Sequence, residues 1–206
     1  MKIGRIMDKL NQQLNFILEL DKLKGIYRQN VVPSDHLRRE NSAEHSWHAA
    51  MVALIFQEYT QEKIDINRVV KMLLIHDVVE IYAGDTFAYA DQSLLDAQEG
   101  KEIKALNQLF SLLPDEDADV YKTLWFEYEA AQTADGCFAK AIDCIQPLIS
   151  NLNNQGQSWK EHTDVTKEKV LKRNEHLKRL APRLWEYVNR ELDKAVSVGW
   201  LKSEKQ

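Results

Sequence analysis

His76 and Asp77 stand side by side in an apolar run, with Leu73-Leu74-Ile75 before them and Val78-Val79 after. A His–Asp pair alone is weak evidence, since chance supplies roughly 0.4 of them in a chain of this composition. Its surroundings carry more weight, because a carboxylate in apolar sequence needs a cation, a hydrogen-bond network or a proton. Glu80 lies one turn beyond His76 and three residues after Asp77, so it shares their helix face. His45 sits in the run Glu44-His45-Ser46-Trp47-His48, and Asp143 among Phe138, Ala139, Ala141, Ile142 and Ile145. Two imidazoles and two carboxylates make a mixed donor set that suits Mn²⁺, Co²⁺, Fe²⁺ or Zn²⁺, with Mg²⁺ less favoured by the His donors. Four protein donors leave positions open on a six-coordinate ion, as a hydrolytic centre requires. Neighbouring helical residues point about 100° apart, so an ion has to lie between the directions of His76 and Asp77, with His45 and Asp143 reaching it from other helices. A buried His hydrogen-bonded within its own neighbourhood remains the plain alternative.

The combination of His45, His76-Asp77 and Asp143 resembles the H…HD…D signature of the HD-domain metal-dependent phosphohydrolases. Glu44-His45-Ser46, His76-Asp77-Val78-Val79-Glu80 and Gly84-Asp85 are similar to the branch containing 5′-deoxynucleotidases, which release phosphate from nucleoside monophosphates. Leu23-Lys24-Gly25-Ile26-Tyr27-Arg28 resembles that branch's segment before the first His, where an Arg contacts the substrate phosphate. The resemblance spans residues 8–155 and implies an all-α, single-domain HD-type helical bundle. It implies one divalent ion held by His45, His76, Asp77 and Asp143, and a homodimer. Glu80 is then the expected group to orient or deprotonate water or to protonate the leaving oxygen. Asp85 is expected in catalysis or on a sugar hydroxyl. Arg28 offers a planar, permanently charged fork for phosphate. Lys140, one turn before Asp143, is a further candidate phosphate contact beside the plainer reading of a surface lysine. Some relatives carry Trp directly after the phosphate-binding Arg or two residues after it. Here Gln29 and Asn30 stand there, and the segment 30–40 looks longer, with Pro33 and Arg38-Arg39. These departures bear on base and sugar selection.

The plainer accounts cover other polar residues. His48 reads as a core His or one behind the ligands, and Glu44 as a helix N-terminal acid favoured by the dipole. Glu127 and Glu129 read as solvated or as lying behind the ligands, and His36, His162 and His176 as exposed. Trp125, Trp159, Trp185 and Trp200 suggest core or subunit contact.

The elements that must position these groups are helical. The 206 residues include only seven Gly and four Pro, too little turn chemistry for a many-stranded sandwich or barrel, and five Trp, seven Tyr and six Phe to build a core. Apolar spacings of three and four predict helices over residues 6–23, from 41 or 42 onward, from a cap at Asp65 or Asn67 toward Ala83, and over 91–112. They continue from Asp115 past Tyr128, over 133–153 with a kink or break at Pro147, and over 165–180 and 183–198. Residues 24–41 read as an ordered loop. One domain covers 1–206, with an HD-type core over 8–155 and C-terminal helices over 160–200 packed on it.

The formal net charge is −5, and acids concentrate between Glu80 and Asp135 while the C-terminal helices are basic. That balance suits a cation site and argues against a nucleic-acid polymer as partner. Cys137 and Cys144 have neither zinc nor disulfide spacing and read as reduced thiols of a cytoplasmic chain. No apolar run is long enough for a membrane span. The expected activity is hydrolysis of nucleoside 5′-monophosphates, deoxy forms included. The alternatives are another small phosphate substrate (a nucleoside triphosphate, a cyclic or signalling nucleotide, a sugar phosphate) or a non-catalytic metal- or nucleotide-binding protein.

Overall fold

The computed structural model of the protein describes residues 2–162 and 164–204, the side chains of 2–6, 36 and 37 excepted. The architecture is an all-helical bundle with one small hairpin. Helix α1 (Lys2–Leu20) passes through a 3₁₀ turn into strands β1 (Tyr27–Val32) and β2 (Asp35–Asn41). Next come α2 (Ser42–Phe56), α3 (Ile66–Ile75), the single turn α4 (Glu80–Ala83), α5 (Gln92–Phe110) and α6 (Asp115–Ala130). The chain continues with α7 (Ala134–Asn153), α8 (Gln157–Glu161), α9 (Lys167–Arg173), α10 (His176–Leu180) and α11 (Pro182–Ser197).

Local sequence starts several of these helices. Asn41 accepts from Glu44 N–H at 2.9 Å and its own N–H donates to the Glu44 carboxylate at 3.3 Å. This reciprocal box begins α2 and puts His45 in its first turns. Asp65 accepts from the N–H groups of Asn67 and Arg68, and Thr133 from that of Gly136. A Cβ on Gly136 would stand 2.6 Å from the Glu127 carbonyl, so glycine is what lets α7 start against the end of α6.

α7 is the axis of the core. Phe138, Ile142 and Ile145 pack with Met72 and Leu73 of α3, Ala49 and Ala53 of α2, and Leu177, Leu180, Val188 and Leu192 of the last helices. A second cluster joins Phe16, Leu106, Leu109, Phe110 and Trp125 to Val78 and Val79. The HD pair thus sits between two apolar packings, and Asp143 is drawn inside because it shares the helix that both neighbours cover.

Four expectations change. Residues 24–41 form an antiparallel hairpin, pairing Tyr27 with Asn41 and Val31 with Arg39, with register shifts between the pairs. The irregular register and polar composition hide the alternation that marks a strand. The helix from Asp65 stops at Ile75, and His76–Val79 form a turn before α4. α7 runs unbroken through Pro147, where the Asn151 side chain donates to the Pro147 carbonyl at 3.1 Å. Residues 165–180 split into α9 and α10 at Asn174, whose amide donates to Val170 O at 2.9 Å.

α1 packs through Phe16 and leaves Met7, Leu10, Leu14, Ile17 and Leu18 exposed, Leu18 by 70%. The apolar faces of α10 and α11 are turned inward instead. Among the described residues no helix is long and apolar enough to cross a membrane.

Candidate metal centre

The turn after α3 brings the HD pair together in a way a continuous helix would not. Val78 N–H bonds to Ile75 O and Glu80 N–H to Asp77 O, the tighter three-residue spacing. Trp125 Nε1 donates to the His76 carbonyl at 3.1 Å and anchors the turn from α6. Gly84, at φ 76°, then ends α4 in a conformation that side chains resist. The chain leaves as the loop carrying Asp85, Phe87 and Tyr89.

Donor atoms of His45, His76 and Asp143 lie within 4.8 Å of one another. His45 Nε2 is 2.9 Å from Asp143 Oδ1, and His76 Nε2 is 3.5 Å from the same oxygen and 3.1 Å from Asp77 Oδ1. The two rings are held from behind. His76 Nδ1 donates to Leu73 O at 2.8 Å, so Nε2 of the neutral ring is the bare lone pair. His45 Nδ1 meets Gln146 Oε1 at 2.9 Å, and the Gln146 amide nitrogen is shared among Glu40, His48 and Ser150. Tyr128 OH donates to Asp143 Oδ2 at 2.8 Å, leaving Oδ1 to the centre.

This donor set fits a divalent cation. His76 Nε2 is buried without a hydrogen-bond partner while carboxylate oxygens face it. A lone pair facing anionic oxygens requires a positive charge between them, either a proton or an ion. The field agrees. Burial alone would raise the Asp143 carboxyl, but the imidazoles of His45 and His76 against it hold it well below the carboxylate range. Burial alone would lower His76, yet Asp77 and Asp143 outweigh it and raise the imidazole. Asp77 turns its second oxygen to Arg28 of β1 at 2.5 Å.

Glu80 is buried behind Asp77 and accepts from Ser42 OH at 2.5 Å. Burial, then the charge of Asp77, pushes its carboxyl well above the ordinary value. Asp85 is raised by burial first, against the opposing pull of Arg28. Arg28 itself stays cationic, because Asp77, Glu80, Asp143 and Asp85 outweigh its desolvation. All of these except Asp143's partner His45 open on a cleft of 580 Å³ that Lys140 also lines. The Lys140 ammonium lies 4.0 Å from the centre of the Tyr128 ring and 3.1 Å from Glu129.

Other polar residues follow the plainer accounts. Glu44 closes the cap and pairs with Arg38 at 2.8 Å, and Glu127 pairs with Arg68. His48 is exposed and contacts Gln146. His162 is half-buried and stacked on Phe87 at 4.1 Å, and His176 is half-buried, so neither is simply exposed. The exposure expected of His36 concerns a side chain outside those described. Ser42, Tyr128, Trp125 and Gln146 were not singled out as site residues. Only their spacing, three residues from His45 for Ser42 and three from Asp143 for Gln146, hints at them.

The hold of Tyr128 on Asp143 is testable. Tyr128→Phe is expected to weaken divalent-ion binding about 10–100-fold, read by titration calorimetry. An unchanged affinity would show that this hydrogen bond does not orient a ligand.

A family model for the HD domain matches residues 20–185. The chain is 28% identical to human 5′-deoxynucleotidase HDDC2 over 136 residues, 66% of this chain and 65% of that protein's length. It is 28% identical to 5′-deoxynucleotidase YfbR of Salmonella paratyphi B over 182 residues, 81% of this chain and 87% of that one. The crystal structure of a predicted metal-dependent phosphohydrolase from Magnetospirillum magnetotacticum superposes with a TM-score of 0.88 at 45% identity, covering 95% of this chain and 96% of that one. The domain match spans α2, the turn after α3 and α7, which carry the donor cluster, and the chain belongs to the HD-domain family.

Proposed function

We propose that this protein is a metal-dependent phosphomonoesterase that hydrolyses nucleoside 5′-monophosphates, 2′-deoxy forms included, to nucleoside and phosphate. The observation that carries the reading is the buried, unpartnered His76 Nε2 aimed among carboxylates, with buried Glu80 and the Arg28 guanidinium beside them. The names of the human and Salmonella relatives support the substrate class.

His45, His76, Asp77 and Asp143 would hold one divalent ion. When bound, the ion supplies Lewis acidity toward a phosphoryl oxygen and makes water a better nucleophile near neutral pH. Arg28 supplies a planar cation that offsets the cleft's acids toward a phosphate dianion, and Lys140 and Arg173 add further positive charge. Glu80, its carboxyl pushed up by burial and by Asp77 and hydrogen-bonded by Ser42, is suited to give a proton to the leaving O5′. Asp85 follows the Gly84 bend and is suited to accept from a sugar hydroxyl. The metal's identity among Mn, Co, Fe, Zn and Mg is set by supply and geometry as much as by these donors.

Phosphate release from a panel of nucleotides and sugar phosphates, with Mn²⁺, Co²⁺ or Mg²⁺, tests the proposal. Release from nucleoside 5′-monophosphates is expected, and none from any of them would overturn it. Arg28→Ala is expected to raise KM for monophosphates about 10–100-fold, far more than it changes divalent-ion affinity. An unchanged KM would show that phosphate is held elsewhere.

The proposal also includes a homodimer in the cytoplasm. Free Cys137 and Cys144 agree with a reducing compartment. The exposed apolar stripe of α1 offers a face for the second copy. Light scattering of Leu14→Glu against the parent chain checks it: a monomer is expected for the variant, and an unaltered dimer would move the interface off α1.

A further inference from the structure

We propose that a second, more enclosed pocket beside the donor cluster is the nucleobase subsite, and that the Asn151 side-chain carbonyl reads a hydrogen-bond donor on the base. The inference rests on the nucleotide reading above. The pocket has a volume of 80 Å³ and shares Arg28, Asp85 and Asp143 with the larger cleft. The pocket therefore adjoins the place where a phosphate at the cluster would lie.

The pocket and the reaction cleft share charged residues, Arg173 among them, but differ in the rest of their lining. The larger cleft is lined by Asp96, Glu99, Glu102 and Glu129, whereas the pocket's walls are Phe87, Tyr89, Trp159 and Leu148. Flat aromatic walls with a few polar groups suit a planar heterocycle. Tyr89 is itself braced, with the Arg173 guanidinium 5.6 Å from its ring centre.

Asn151 supplies the polar group. It is only 5% exposed, it lines the pocket, and its Oδ1 has no hydrogen-bond partner. Its Nδ2 donates to Pro147 O at 3.1 Å and to Asn30 Oδ1 at 3.4 Å. The Pro147 carbonyl can only accept, so the amide orientation is determined and the free atom is the acceptor. A buried acceptor with nothing to accept calls for a donor from a ligand. Each nucleobase carries one at its pairing edge, as an exocyclic amine or a ring N–H. Phosphate and deoxyribose oxygens meet the charged residues at the other end. Asn30, on β1 two residues after Arg28, connects the amide to the strand that carries the phosphate cation.

The test compares a deoxynucleoside 5′-monophosphate with 2-deoxyribose 5-phosphate, which keeps the phosphate and sugar and lacks the base. Asn151→Ala is expected to raise KM for the nucleotide about tenfold with kcat little changed, and to spare KM for the base-free ester. Asn151→Asp keeps an acceptor oxygen and loses the amide donor to Pro147, so it is expected to retain the nucleotide preference. An equal rise for both substrates in Asn151→Ala would overturn the proposal. So would equal losses in the two variants, because that is what a structural clasp on Pro147 predicts. Thermal unfolding of both variants confirms that folded protein is compared. Should the parent protein hydrolyse neither ester, the phosphatase reading fails, and calorimetry with the free deoxynucleoside decides the subsite alone. Binding to the parent chain and its loss in Asn151→Ala would support the subsite, and no binding to the parent would remove it.

Discussion

Replacing His76 by Ala is expected to abolish divalent-ion binding and to lower phosphate release by about 10³-fold or more. The imidazole is the group on which the centre converges. Its Nδ1 is committed to Leu73 O and the backbone carbonyl of the same residue is held by Trp125, so the direction of Nε2 is determined before any ion arrives. Removing the ring takes away the nitrogen that faces Asp77 and Asp143 and leaves the cluster one donor short. Chelation of the parent protein should abolish turnover in the same way, and returning the metal should restore it. In His76→Ala the metal should restore nothing. Metal content by elemental analysis, measured beside phosphate release, checks both halves. Near-normal occupancy in the variant would remove His76 from the ligand set.

Glu80→Gln is expected to retain the metal while kcat falls about 10²–10⁴-fold, the range of a lost general acid or base. The amide preserves volume and can still meet Ser42, so packing changes little. A near-normal rate would end the acid/base assignment. The same variant makes a separate prediction for the metal-free protein. Burial, then Asp77, raises the folded-state pKa of Glu80 above its unfolded value. At pH below the unfolded value the carboxyl is neutral in both states, and its contribution to stability is complete. As pH rises above that value the unfolded chain ionises first, so stability is lost progressively until the raised folded pKa is passed. Glu80→Gln cannot ionise. Its stability relative to the parent should therefore climb with pH above about 4.3 and match the parent's behaviour in more acidic solution. Denaturant midpoints across that range check the sign, and a difference independent of pH would show that Glu80 ionises normally in the fold.

Much of the helical frame can be read locally. Apolar spacing over 133–153 predicts α7 because a helix covered on several sides repeats its buried residues every three or four positions. Asn41, Asp65 and Thr133 mark helix starts because each satisfies N–H groups two or three residues away. The hairpin at 27–41 escaped the same reasoning. Its register shifts, and among the described residues its two strands pair only with each other, so neither strand shows clean alternation. The exposed stripe on α1 is the opposite failure, since periodicity marks an apolar face without saying whether this chain covers it.

Residue types, spacing and family resemblance single out His45, His76, Asp77 and Asp143 as expected donors, Glu80 as the expected acid or base and Arg28 as the expected phosphate cation, together with the helical class and most of the caps. Those depend on side-chain chemistry and on hydrogen bonds that close within a turn or two. Tertiary structure alone decided that the helix breaks after Ile75, that Asp77 faces Arg28, and that Gln146, Tyr128, Trp125 and Ser42 hold the centre from behind. It also decided that Glu80 is buried beside Asp77, which pushes its carboxyl above the ordinary value. These contacts join residues up to a hundred positions apart, and which atoms meet there depends on how helix faces pack, a relation that spacing along one helix does not contain.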